Sequence, residues 1–289
     1  MRAALKIGKV TVVSLLALLS LNGCDRDRSV LLKLKDLEAA IERDPSNTNS
    51  LQELLRYSRD RSSLTRANAI AILGHFGQQE ATWVRQHVVP ALKQGLKDQH
   101  QSVRRTASSS FGGLRPADYE SALPELIGAL AEGDVDVAWF AAEAIGRLGS
   151  SAEPAVTALT KALQVSSAGS PDNAPQLRKF AAQALGAIGP SAQISAPLLK
   201  MALDDSNPHF RVEVVIALSR IEQTDSSHLP MLADLLGSQE VGVRRRAIEP
   251  FLESPPTNAV IVAAITKCLN DPDDYVKKSA ATILEERNK

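Results

Sequence analysis

The sequence predicts an all-α solenoid of about seven helix pairs over residues 49–289, and three observations predict it. The first is a unit, seen most plainly from Ala122 to Gly149, that recurs at a nearly fixed interval. In it a proline-led apolar segment (Leu123-Pro124, Leu126, Ile127, Leu130) precedes an acidic turn and a second apolar helix (Val137, Ala141, Ala144, Ile145, Leu148). With Thr65, Val103, Val137, Leu177, Phe210, Val243 and Val276 as the first core residue of each second helix, the intervals are 38, 34, 40, 33, 33 and 33 residues. The second is a proline thirteen residues upstream of that reference in four units: Pro90, Pro124, Pro197 and Pro230. The third is a pair of charged positions, acidic five residues before the reference and basic one residue after it. Two antiparallel helices cannot bury their apolar faces alone, so stacking of neighbouring units has to supply the core.

Before the first unit, Arg2, Lys6 and Lys9 flank an apolar run from Val10 to Leu21, which ends in Leu21-Asn22-Gly23-Cys24. A basic flank and an apolar stretch too short for a comfortable membrane span predict a secretory signal over residues 1–23. The Leu-x-Gly-Cys ending resembles the lipobox of bacterial lipoproteins, which implies lipidation of Cys24 and a mature chain that begins there. Asp25 resembles the inner-membrane retention signal of enteric-type lipoproteins. The resemblance implies a bacterial cell-envelope protein on the periplasmic face of the inner membrane rather than in the outer membrane. Over residues 24–48, an anchor linker leads into one amphipathic helix with Val30, Leu34, Leu37 and Ile41 at helical spacing, expected to cap the open end of the array.

Charge narrows the partner class. The 289-residue chain has 33 basic and 33 acidic residues, and removal of Arg2, Lys6 and Lys9 leaves 30 against 33. A near-neutral, exported chain has no field to hold nucleic acid, so a protein partner is expected, membrane-bound or periplasmic. Arg244-Arg245-Arg246 does not change this, because Arg244 belongs to the repeat and the others read as a solvated face. The two cysteines, Cys24 and Cys268, are too few for a disulfide framework.

Within each unit the proline fits the first turn of a helix, where its missing N–H costs nothing, and Ser195 is placed to cap the helix of Pro197. In the fourth unit Pro154 stands 23 residues before Leu177, and the polar insertion Ser166–Pro175 accounts for the ten extra. The acidic turn positions are Asp60, Asp98, Glu132, Asp172, Asp205, Ser238 and Asp271; the basic ones are Arg66, Arg104, Ala138, Arg178, Arg211, Arg244 and Lys277. A turn carboxylate can accept N–H groups at the start of the second helix and pair with a neighbouring unit's arginine. Ala138 and Ser238 interrupt the pattern, so the ladder is not expected to run unbroken through those joints. Glycines 74, 112, 146 and 186, nine residues after the reference, are expected to permit close helix approach.

First-helix proline, turn aspartate and the Val-Arg opening of the second helix resemble HEAT repeats, in particular the short HEAT-like class. The resemblance implies a right-handed α-α superhelix whose second helices line a concave protein-binding surface, acting as a scaffold or adaptor. On that surface Arg105, Trp139, Lys179, Val212 and Arg245, two residues after the reference, would form a groove, widened by Val215, Ile216 and Ile248. Trp139 with Phe140 reads equally as filler for the gap left by Ala138.

No catalytic constellation accompanies the repeat. Histidines 75, 87, 100, 209 and 228 lack metal-binding spacing, no nucleophile elbow or phosphate loop is present, and Cys268 reads as a buried thiol. No metal or other cofactor is expected. The alternative to a binding protein rests on resemblance alone: short HEAT-like repeats are similar to those of phycobilin-attaching lyases and related pigment- or cofactor-handling proteins.

Overall fold

The computed structural model of the chain describes residues 25–44, 47–78, 81–132, 134–165, 173–223 and 228–287, and among them the regular structure is entirely helical. The first helix, α1 (Asp25–Arg43), is followed by seven pairs: α2 (Thr48–Tyr57) with α3 (Ser63–His75), α4 (Val89–Leu96) with α5 (Gln101–Ser110), and α6 (Leu123–Ala131) with α7 (Val135–Arg147). The series continues with α8 (Val156–Ala162) and α9 (Ala174–Ile188), α10 (Ala196–Met201) and α11 (Pro208–Ile221), α12 (Pro230–Leu235) and α13 (Val241–Ile248), and α14 (Ala259–Lys267) and α15 (Asp274–Arg287). The chain divides into two compact units, one up to Ala129 and one from Leu130.

In the first unit, α1 buries Leu31, Leu34, Leu37 and Ile41 and packs on both α2 and α3, so it covers the first pair. Val30, expected in that stripe, is only partly covered, because Leu31 takes the inward position. Second helices α3 and α5 lie side by side. A Cβ on Gly74 would stand 2.5 Å from the Ser110 Cβ, a distance no pair of carbons sustains, so glycine sets that approach. Gly112 is different: a Cβ there would meet nothing within 4 Å.

The second unit repeats the arrangement. α9 lies between α7 and α11. A Cβ on Gly146 would come within 3.1 Å of the Ala184 Cα, and one on Gly186 within 2.8 Å of the Ala217 Cα. Towards the C-terminus the core gathers Val212, Val215, Ile216, Val243, Ile248 and Val276 from successive second helices. Gly149 and Gly189 adopt φ of +61° and +78° just beyond α7 and α9 and turn each chain into a 3-10 segment leading to the next pair. Ser195 does not cap α10. Its hydroxyl donates to the Ala192 carbonyl at 2.7 Å within that 3-10 segment and is fully buried.

Candidate protein-binding surface

Five of the interhelix turns are built by the residue five before the reference. The Oδ1 of Asp60, Asp98, Asp205 and Asp271 accepts the backbone N–H two residues on, at 2.8–2.9 Å, and Ser238 Oγ does the same at 3.2 Å. This side-chain turn fixes the chain direction into the second helix. The arginine one residue after the reference then folds back. Arg66 Nη1 donates to the carbonyls of Asp60 and Arg61, Arg104 to those of Asp98 and Gln99, and Arg244 to those of Ser238 and Gln239.

The remaining guanidinium nitrogens reach the next unit. Arg66 clasps Asp98 with Nε–Oδ2 2.7 Å and Nη2–Oδ1 2.8 Å; Arg244 clasps Asp271 at 2.8 and 3.0 Å. Arg178 reaches Asp205 at 2.6 Å and covers the Phe210 ring at 4.1 Å. These two-pronged contacts hold the Asp271 carboxyl below its ordinary value, chiefly through Arg244. Asp172 lies outside the described residues, as do Cys24 and the insertion up to Asp172; Asp25 opens α1. Lys277 turns instead to Asp274 within its own helix, at 3.5 Å.

The other face of the second helices in the second unit carries a groove of about 420 Å³. Its floor is small: Ala142 and Gly146 from α7, Ala184 and Ala187 from α9. Glu143, Arg147, Phe180, Gln183, Arg220 and Arg246 wall it. Beside it Glu213, 4% exposed, receives Gln183 at 2.6 Å and both Nε and Nη2 of Arg246, which also bonds Glu249. Burial opposes the charge on Arg246, but the two glutamates outweigh it and raise its pKa. Burial pushes the Glu143 carboxyl up, with Arg147 and Lys179 pulling it back. The groove is therefore amphoteric, with an aromatic wall and a floor that leaves backbone within reach.

This is not the groove expected from the sequence. Val212, Val215, Ile216 and Ile248 are 0–2% exposed and belong to the core. The reason is angular: neighbouring helices flank each second helix, so in α7 and α9 the open face runs through the positions three, six and ten after the reference, whereas α11 is covered at three and six as well, where Glu213 and Ile216 are buried. Phe140, Glu143 and Arg147, then Phe180, Gln183 and Ala187, follow this rule. A step of one residue rotates a side chain by about 100°, enough to turn an open position into a covered one. Arg105 and Arg245 are exposed, and Arg245 is engaged with Asp273 at 2.5 and 2.9 Å. Lys179 is half-buried, with its Nζ 4.7 Å from the Phe180 ring. Trp139 is half-buried in a stack with Phe140 (3.5 Å) and Phe180 (5.4 Å), and its buried Nε1 finds no acceptor among the described residues. Phe180, not Trp139, stands at the groove wall. Nor is Arg246 a solvated residue.

Glu213 and Arg246 were legible as a pair only by their offset of three after the reference, a phase the repeat pattern does not mark. Cys268 is buried, and burial raises its thiol pKa. Among the described residues no group of histidine, cysteine and carboxylate side chains is disposed to hold a metal, and no helix is long and apolar enough to cross a membrane.

A family profile described as HEAT repeats matches residues 89–174 and 167–251. Among solved structures, the complex of CpcE and CpcF of phycocyanin lyase from Nostoc sp. PCC7120 is similar at 21% identity and a TM-score of 0.56, over 82% of this chain and 94% of that one. Yeast importin-beta (Kap95p) is similar at 15% identity and 0.60, over 95% of this chain and 37% of its own. The Kap95:Nup1 complex gives 15% and 0.63, over 93% and 39%. At these identities the likeness is one of fold. No curated protein matches the sequence.

Proposed function

The chain belongs to the HEAT-repeat family, and we propose that it is a non-catalytic scaffold that binds a segment of another protein in the groove walled by Phe180. The observation that carries this reading is the groove itself. Four successive second helices, α7, α9, α11 and α13, contribute side chains to one trough with a small-residue floor, an aromatic wall and charges of both signs. Such a surface suits an extended or helical peptide that offers an apolar anchor and polar flanks. Two of the similar structures are complexes with a protein partner, CpcE with CpcF and Kap95 with Nup1.

The second part of the proposal is the anchor. Lipid on Cys24 would tether the scaffold to a bilayer at the periplasmic face, where a high local concentration makes a weak groove contact effective. The supporting feature is the segment from Arg2 to Asp25, with its basic flank, apolar run and Leu-x-Gly-Cys ending.

One experiment separates the two parts. Wild type, Cys24→Ala and Phe180→Asp are expressed in a bacterium, fractionated and crosslinked. Cys24→Ala is expected to leave the membrane fraction, and Phe180→Asp to stay there but lose the crosslinked species. Identical crosslinks in wild type and Phe180→Asp would end the groove reading; identical fractionation of Cys24→Ala would end the anchor reading.

A further inference from the structure

The ladder of arginine–aspartate rungs has a gap at Ser238. Arg66, Arg178 and Arg244 each meet a carboxylate from the next unit, and Arg211 occupies the same place in α11. Its counterpart in the next turn is Ser238, whose hydroxyl accepts the Glu240 N–H and so keeps the turn. A hydroxyl cannot supply the two anionic oxygens that a guanidinium fork takes. Arg211 Nε is buried and has no hydrogen-bond acceptor among the described residues. Asp205, behind it, is already bound by Arg178 and the Asn207 N–H.

A cavity of about 180 Å³ is lined by Arg211 together with Pro208, Val215, Met231, Leu235, Ser238 and the exposed Asp234. Val215 is fully buried and Leu235 nearly so, which makes the floor apolar. A guanidinium whose Nε is buried without an acceptor, beside an apolar floor, selects an anion that carries a short apolar group, and the other rungs specify which anion fits the fork. We propose that this pocket binds a carboxylate of a partner protein, from an acidic side chain or a chain terminus, together with an adjoining apolar side chain. The partner's carboxylate then completes the rung that Ser238 leaves open. This names one contact of the protein-binding reading and rests on it for the carrier of the carboxylate, but the pocket is separate from the Phe180 groove.

The test uses the full chain and small probes: N-acetyl-leucine for a chain terminus, the α-amide of N-acetylglutamic acid for a side chain, and N-acetyl-leucinamide as the neutral control. Binding is read from the Arg211 Nε–H resonance. The expected result is a saturable shift with one or both acids, none with the neutral control, and at least a tenfold loss of affinity, by a second probe such as calorimetry, in Arg211→Gln. Ser238→Asp supplies the missing carboxylate within the chain. It is expected to abolish the shift and raise the melting temperature by about 2–4 °C, as one added charged hydrogen-bond pair would. A shift that persists in Ser238→Asp, equal binding of the neutral control, or no shift with either acid would overturn the proposal. Failure here leaves capture by the Phe180 groove unaffected, and a failed groove leaves this titration readable.

Discussion

Arg244 and Arg246 stand two residues apart on α13 and use their charge differently. Arg244 clasps Asp271, a turn residue that also accepts the N–H of Asp273, so the carboxylate has a second partner of its own. Arg246 reaches back to Glu213 on α11, a side chain at the same level of burial whose other partner is the neutral amide of Gln183. The first pair repeats along the chain and shapes the turns. The second occurs once among the described residues and lies beside the groove. The repeated pair joins successive units; the singular network sits where the groove opens.

Removing each arginine tests that contrast. Arg246→Ala strands Glu213 in a nearly water-free site and is expected to cost about 3–5 kcal/mol, read as a loss of melting temperature or of folded protein. Arg244→Ala leaves Asp271 its backbone donor, so about 1–2 kcal/mol is expected. Equal losses would mean that position in the stack, not the number of other partners, sets the cost. Between these falls Gly186→Ala, whose new Cβ would press on the Ala217 backbone and should cost about 1–3 kcal/mol by forcing α9 from α11.

Acid tests the first of these pairs. Arg244 depresses the Asp271 carboxyl below its ordinary 3.8. A group with a depressed folded value contributes stability that is complete above the unfolded value and is lost as pH falls through the folded one. Unfolding measured below about pH 4 should therefore steepen in the wild type and be flatter in Asp271→Asn. The smallest effect is expected at the exposed Arg245–Asp273 pair: Arg245→Ala should leave the melting temperature unchanged within error, since solvent screens the pair. Phe180→Ala belongs at the same end for stability if its role is recognition, while Trp139→Ala, which removes the ring stacked between Phe140 and Phe180, should destabilise more and reduce capture less. The reverse order would move the binding anchor to Trp139.

Much of this molecule is readable before folding because the repeat says the same thing several times. The seven reference residues are core-facing, Asp60, Asp98, Asp205 and Asp271 form their side-chain turns, and Gly74, Gly146 and Gly186 lie where helices nearly touch. These are local or nearest-neighbour features, set by spacing within a unit of about 33 residues. The Ser238 interruption was visible in the same way, as one letter missing from a pattern.

What only the tertiary structure decided is which way each second helix is turned between its neighbours. That rotation places Val212, Val215, Ile216 and Ile248 in the core and opens the face of Glu143, Phe180 and Gln183 instead. An apolar stripe on a helix wider than half its circumference does not say which part is covered, and α11, buried along most of its length, is such a helix. The Glu213–Arg246 network, with Gln183, depends on how three helices meet at once, and the cavity at Arg211 on how α11, α12 and the Ser238 turn come together. Spacing along one chain specifies pairs; the closing of a surface by several helices is set by their packing together.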